Sequence, residues 1–296
     1  MQDVIIVGGS FAGLTAAMQL GRARRKVSVL DTGLNRNRYA AHAHNILGHD
    51  GTPPGDLLAR ARAQVEHYPT VQLVQGKAIA IAGEPDNFAI TTEDGASLEG
   101  RRVILAYGIV DHFPAIPGFA ECWGKTVIHC PFCHGYEVAG QRWGLVYSSP
   151  MSLHGPVLYA NWTDDITLFL DGHEIIEQER SKLDKRGVKI IDAKLKSIRH
   201  DNGQLHSVAT EDGQQVELEA LYAHPRNHPS ADLHAQLGLD MTETPTGTMI
   251  AVGDMQATSR PGIYAAGDLT TAMHSVTFAS NSGSMAAMGV LQSMMG

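Results

Sequence analysis

The sequence is poor in cysteine, with three in 296 residues, which excludes a disulfide framework as the source of its stability. It has no surplus of positive charge either. The formal net charge is -8, a balance that disfavours nucleic acid or an anionic membrane surface as the main partner. No unbroken apolar run approaches the roughly 20 residues that a bilayer span requires, so no membrane association is expected. The amino terminus, MQDVIIVGGS, enters an apolar strand without a basic region or a small-residue cleavage site, and a cytoplasmic location is the expectation. What is present is 43% hydrophobic content over a length that suggests about two domains. A globular protein acting on a small molecule or on another protein is expected.

The cysteines are concentrated. HCPFCHGYE, from His129 to Glu137, places two cysteines and two histidines within six positions. The CPFCH spacing fits three uses: c-type haem attachment, half of a zinc site, or a redox dithiol. Without export, haem attachment is disfavoured. Zinc would need further ligands, and His129 and His134 lie too close along the chain to complete one tetrahedron with both cysteines; no second CxxC exists, so no metal site is expected. His42 and His44 in AHAH, and His224 and His228 in HPRNH, are expected to be solvated or hydrogen-bonded in loops. Cys122 reads as a small buried hydrophobe. A dithiol on a short helical turn gains a lowered thiol pKa from nearby amide dipoles, and can open and close with little backbone motion. His134 follows the pair directly and can carry the proton that thiolate chemistry moves. Glu137 either orients His134 or is an ordinary surface acid.

Around this motif the chain alternates strand and helix. DVIIVGG is a continuous apolar strand, SFAGLTAAMQLGRAR has helical spacing, and KVSVLD is a second strand. Gly8, Gly9 and Gly13 occupy the first turn, where small residues admit a pyrophosphate at the helix N-terminus, with Ser10, Phe11 and Ala12 between them. Ser10 replaces the second glycine of GxGxxG. Asp31 ends the second strand, where a carboxylate can accept hydrogen bonds from an adenosine ribose. A helix through DLLARARAQVEHY and strands VQLVQG, FAITTED and RVILAYG follow, then the linker-like HFPAIPG, which puts a domain boundary near Asp111. From Trp143 a second crossover begins: GLVYSS as strand, PMSLHGPVLYANW as helix, DITLFLD as strand. Near Thr242 the chain turns polar, and a last strand ends at Gly267 and Asp268 before a helix whose Met285, Met288, Met294 and Met295 suit core or subunit-interface filling.

The motifs VIIVGGSFAGLTAA, VILAYG, HCPFCHGYE and PGIYAAGD, in this order, make nearly the full length of the chain resemble the low-molecular-weight thioredoxin reductase flavoproteins. CxxCHG in place of CxxCDG is similar to the gliotoxin and holomycin dithiol oxidases and their bacterial relatives. The resemblance implies an α/β fold of two Rossmann-like, three-layer ββα domains of the FAD/NAD(P)-linked disulfide reductase type, the second inserted in the first. The FAD domain would span 1-111 and 243-296, and the inserted nicotinamide-like domain 112-242. It implies FAD as cofactor, with Asp268 on the ribityl chain and with Arg38, Asn45, Ala106, Gly108, Ser275 and Val276 in segments that touch FAD. Tyr107 stands where the family usually has threonine. Cys133 would face the flavin, Cys130 would exchange with the substrate, and a homodimer is implied.

One family feature is missing. The turn after GLVYSS reads PMSLH, with no glycine before Gly155, and the following strand ends in LDGHE, putting Asp171 and Glu174 where a 2'-phosphate would meet arginines. Two acids repel that phosphate. The expected activity is an FAD-dependent exchange of two electrons between a substrate dithiol or disulfide and Cys130/Cys133 without NADPH, with dioxygen as acceptor. A reductase of thioredoxin-like proteins, driven by ferredoxin, another donor or NADPH, is the alternative. A flavin redox sensor without turnover is a third reading.

Overall fold

The computed structural model describes residues 1–295. The chain divides into two compact units, one made of Met1–Arg38, Pro54–Val110 and the chain from Asn227 onward, the other of Tyr39–Pro53 and Asp111–Arg226.

The first unit opens with β1 (Gln2–Val7), α1 (Phe11–Arg22), β2 (Val27–Asp31), α2 (Pro54–Glu66) and β3 (Val71–Gln75). β1 and β2 are almost wholly buried and pair in parallel, as apolar runs covered on both faces should. α1 turns Ala12, Ala16, Ala17 and Leu20 into the core, and α2 adds Leu58 and Val65. β4 (Ala78–Glu84), β5 (Asn87–Thr92) and β6 (Ser97–Leu105) form an antiparallel meander. The strand order is β3-β2-β1-β6-β5-β4. β4 (AIAIAGE) is not among the expected strands: its two isoleucines alternate with alanines before Gly83, a weaker apolar signal than the runs that mark the other strands.

The second unit contains most of β7 (Ile109–His112) to β16 (Arg226–Pro229). In chain order come α3 (Phe119–Cys122), β8 (Val127–Ile128), α4 (Pro131–His134), β9 (Trp143–Val146), α5 (Gly155–Tyr159), β10 (Ile166–Phe169), α6 (Glu177–Asp184) and β11 (Lys189–Ile191). β12 (Leu195–Asp201), β13 (Gln204–Thr210), β14 (Gln215–Glu217) and β15 (Ala220–Tyr222) follow. Its parallel sheet has the order β11-β10-β9-β15-β8 and carries a core of Trp143, Tyr159, Leu168 and Tyr222. β12, β13 and β14 form a separate antiparallel sheet. The helix expected over PMSLHGPVLYANW is broken into a 3-10 turn, Pro150–His154, and the short α5. Pro156 has no amide to donate and its ring crowds the preceding turn.

The chain then returns to the first unit through α7 (Leu233–Gln236), β17 (Met241–Thr244), β18 (Gly247–Ile250), β19 (Ile263–Ala265) and α8 (Val276–Gln292). Besides β1, β6 pairs with β5 along its first half and with β19 along its second. The contacts place the return at 226/227 rather than at the expected 242/243. Leu233, Leu237 and Leu239 are buried with Ile5, Val7 and Leu105, so the α7 region belongs to the first core. The polar stretch near Thr242 is the hairpin of β17 and β18, not a linker. Residues 39–53, expected with the first unit, pack with the second.

Candidate redox site and cofactor cradle

In the first unit the β1–α1 turn is closed as tightly as backbone allows. Gly8 has φ +110°, and a Cβ there would lie 2.1 Å from the Ala106 carbonyl oxygen. A Cβ on Gly13 would lie 1.8 Å from the Gly8 carbonyl oxygen. Such packing brings the α1 N-terminus, preceded by Ser10 and opened by Phe11 and Ala12, against the end of β1, with no acid in its first turn. First-turn amides lack intrahelical acceptors and offer donors to an anion.

Asp31 ends β2 beside this turn. Its Oδ1 accepts from the Gly9 amide at 3.0 Å, and its Oδ2 is paired with Arg62 of α2. Gly9, Leu14, Val29, Asp31, Arg62 and Gln75 are among the residues lining a pocket of about 140 Å³. Arg62 escaped sequence reading because its helix shows only exposed, solvated arginines until α2 is packed on α1.

Ala106 lies at the end of β6, its amide bonded to Val7 at 2.7 Å, and Gly108 follows with φ +73°. Between them, the Tyr107 hydroxyl lies 3.3 Å from His234 Nδ1, and Ser230 Oγ donates to the Tyr107 carbonyl at 2.6 Å. Gly267 and Asp268 form a 3-10 turn after β19, tied to α8 by the Gly267 amide donating to buried Ser282 Oγ at 2.8 Å. Arg36 lies 3.4 Å from Asp268, and Arg38 donates to the Asn35 carbonyl at 2.8 Å. Ser275 caps α8 by accepting from Phe278 at 3.1 Å, and Val276 is its first residue. Asn45 lies in the 39–53 loop, which packs with the second unit.

In that second unit the dithiol sits on α4. Cys130 is its N-cap in extended conformation, Pro131 opens the turn, and the sulfurs of Cys130 and Cys133 are 2.6 Å apart. The Cys130 thiol is pushed down to about 7: the Cys133 thiol donates to it, burial opposes, and the amides of Cys133 and Phe132 add to the lowering. The Gly135 amide closes the turn on Pro131 at 2.7 Å. Beneath it, a Cβ on Gly135 would meet the rings of Trp143 and Trp162 at 3.2 Å, so the loop rests on an aromatic floor. Trp143 Nε1 donates to the Val138 carbonyl at 2.8 Å, and Phe132 meets Trp162 edge-on.

His134 is held largely out of water. Burial pushes its pKa below the ordinary histidine value, against the opposing charge of Glu137 and with a smaller lowering from His44, so the ring is neutral near neutrality and able to accept a proton. His129 stacks on Trp123, with ring centroids 5.6 Å apart. His224, expected in a solvated or hydrogen-bonded loop, is mostly buried; its pKa is lowered by that burial, against a hydrogen bond to the His129 backbone. His44 Nε2 lies 3.5 Å from Glu137 Oε1. Cys122 is fully buried in the core. Among the described residues no group of three metal-ligating side chains occurs.

The second crossover has a different turn. Ser152 Oγ accepts from the amides of Ser148, at 3.0 Å, and Ser149, at 3.4 Å, so the turn amides are taken by the chain's own hydroxyl. Asp171 Oδ1 accepts from the Leu195 amide at 2.8 Å, while Glu174 is exposed.

A dinucleotide cradle in one unit and a low-pKa dithiol in the other define a dinucleotide-dependent oxidoreductase of sulfur groups. The chain belongs to the pyridine nucleotide-disulphide oxidoreductase family, whose model matches residues 2–147 and 157–284. It is 32% identical to the thioredoxin reductase sirT of Leptosphaeria maculans over 97% of this chain and 93% of that protein. It is 32% identical to the thioredoxin reductase tcpT of Claviceps purpurea, covering 96% and 91%. The crystal structure of an oxidoreductase from Agrobacterium tumefaciens superposes with a TM-score of 0.94 at 37% identity, covering 99% of this chain and 98% of that one. The protein is therefore a thioredoxin reductase-like enzyme, a flavin-dependent oxidoreductase with FAD as its cofactor, as the four motifs implied. No helix among the described residues is long and apolar enough to cross a membrane.

Proposed function

We propose that this enzyme is a dithiol oxidase that takes two electrons from a small dithiol through Cys130 and Cys133, with dioxygen rather than a nicotinamide as its redox partner. The balance is one dithiol and one dioxygen giving one disulfide and one hydrogen peroxide. The observation that carries this reading is the turn closed by Ser152, whose hydroxyl occupies the amides that a pyrophosphate would need. Two further facts support it. The family match is interrupted at 148–156, the stretch that forms this turn, and Asp171 is spent on the Leu195 amide with no basic residue in its place.

The cradle residues fit FAD: backbone pressed too close for a Cβ at Gly8, an anion-receptive helix start, and an acid at the end of β2. Gly8, Gly9, Ser10, Phe11, Ala12 and Gly13 would hold the pyrophosphate, Asp31 the adenosine ribose and Asp268 the ribityl chain. Arg38, Asn45, Ala106, Gly108, Gly267, Ser275 and Val276 complete the proposed set. Bound FAD supplies the two-electron acceptor that a cysteine pair needs in order to turn over.

The protein's own residues carry the sulfur chemistry. A substrate thiolate attacks Cys130 of the oxidised pair and Cys133 leaves as thiolate; the second substrate sulfur then displaces Cys130, forming the product disulfide. His134 accepts a substrate thiol proton. The names of the fungal relatives favour a second reading, reduction of a thioredoxin-like protein by a separate donor. A homodimer is part of the proposal, with exposed Met288 and Met295 available at the carboxyl end.

Anaerobic mixing separates these readings. Bleaching of the flavin by a dithiol but not by NADPH or NADH, with colour and peroxide returning on aeration over many turnovers, is expected. Rapid bleaching by NADPH would overturn the oxidase reading. A single bleaching without turnover would indicate a sensor.

A further inference from the structure

Oxidation of a dithiol leaves protons in a partly closed site, and the residues around α4 offer one ordered way out. We propose that His44 is a proton-relay residue for the dithiol, acting through Glu137 and His134 and exchanging the proton with solvent beside Asp50. The inference rests on the dithiol/disulfide reading above but needs neither dioxygen nor any particular substrate.

Proton accounting makes the demand explicit. A dithiol reducing the Cys130–Cys133 disulfide breaks two S–H bonds and one S–S bond and forms one S–S bond, and an electron pair passes to the cysteines. One proton stays on the pair as a thiol. The other leaves if the second cysteine remains a thiolate, which the hydrogen bond from the Cys133 thiol and, less strongly, the amides of Cys133 and Phe132 favour. His134 follows Cys133 on the same turn, and its Nδ1 is buried without a hydrogen-bond partner, so an imidazolium formed there would be poorly stabilised unless it passed the charge on.

The next groups are ordered. Glu137 lies three residues beyond His134, with a side chain 43% exposed, and its charge favours protonated His134. His44 lies between two carboxylates, Nε2 3.5 Å from Glu137 Oε1 and Nδ1 3.6 Å from Asp50 Oδ1, both a little beyond hydrogen-bond length, so a small approach on either side gives each ring nitrogen a carboxylate with which to exchange a proton. The His44 side chain is 21% exposed and that of Asp50 68%, so the path opens to water at its far end. The loop is built to hold this alignment. Asp50 Oδ1 also accepts from the Asn45 amide at 2.8 Å, and the Ala43 amide donates to the Thr52 carbonyl at 2.9 Å. The titratable groups facing His44 are Asp50, Glu137 and His134, with His42 at a ring-centroid distance of 6.3 Å. The sequence places His44, with His42, solvated or hydrogen-bonded in a loop and gives no sign of Glu137 as its neighbour, because 93 positions separate the two along the chain (137 − 44).

The test mixes oxidised holoprotein anaerobically with dithiothreitol, quenches with acid, and counts alkylated Cys130 and Cys133 by mass spectrometry. His44→Ala and His44→Gln should both slow reduction of the pair about tenfold at neutral pH, the low end for loss of an acid–base group. They should retain bound flavin, added imidazole should restore His44→Ala but not accelerate wild type, and the solvent deuterium effect should change. Unchanged rates in both variants would overturn the proposal, as would losses that imidazole leaves untouched, since those mark a loop-holding role. Failure of wild-type cysteines to be reduced would sink the dithiol reading itself and His44 with it, whereas normal wild-type reduction with indifferent variants would sink His44 alone.

Discussion

Replacing Cys133 by alanine tests how the dithiol is activated. The largest influence lowering the Cys130 pKa to about 7 is the hydrogen bond from the Cys133 thiol, 2.6 Å away, and the amides of Cys133 and Phe132 contribute less. If the whole lowering were lost, the thiolate fraction at pH 7 would fall about fiftyfold on returning to the ordinary value of 9.0. A more basic thiolate is also more nucleophilic, and a Brønsted slope of about 0.5 returns about tenfold of that loss. The net loss is therefore at most about fivefold, and about twofold to threefold if the backbone amides retain part of the effect. The assay is the rate of iodoacetamide alkylation against pH in the reduced variant, in which buried Cys122 is silent. The titration midpoint should move up from near 7 and the rate at pH 7 should drop. A midpoint that stays put would refute the assignment of the thiol as the dominant cause. The same lowering carries a stability consequence with a definite sign. The native thiol binds fewer protons than the unfolded one between its two pKa values, so the reduced wild type should gain stability as pH rises from about 7 to about 9 and lose that gain on acidification.

Burial holds His134 and His224 below the ordinary histidine pKa, so unfolded chains bind more protons in mild acid. Stability should fall as pH drops below about 6.5, and His134→Gln should soften that fall in urea titrations across pH; an unaltered acid limb would contradict it. Gly13→Ala forces a Cβ to within 1.8 Å of the Gly8 carbonyl oxygen, so the purified variant should be colourless or poorly folded by absorbance and circular dichroism, and a yellow, stable variant would refute the tight-turn argument. Ser152→Ala should lower stability by about 1–3 kcal/mol by leaving the Ser148 and Ser149 amides without their acceptor, seen in the denaturation midpoint. The same variant should still leave the flavin unreduced by NADPH, because the acids and side chains around the turn remain.

The sequence by itself determined the α/β class, the two crossovers and the dithiol, because each depends on local pattern. Buried parallel strands require unbroken apolar runs, the β1–α1 turn tolerates only glycine at Gly8 and Gly13, and CxxC chemistry needs both sulfurs on one turn. The missing glycines at PMSLH were equally legible. The tertiary structure decided which distant side chains meet. Arg62 reached Asp31, Arg36 reached Asp268, and His44 reached Glu137 only because α2 and the β2–α2 segment fold back over long stretches of chain. It also moved the return crossing to 226/227, since the leucines of the α7 region bury where a core accepts them, whatever the composition of the chain around them. Periodicity records the environment of one element, whereas a charge pair or a domain boundary depends on the packing of several, and no local signal encodes that.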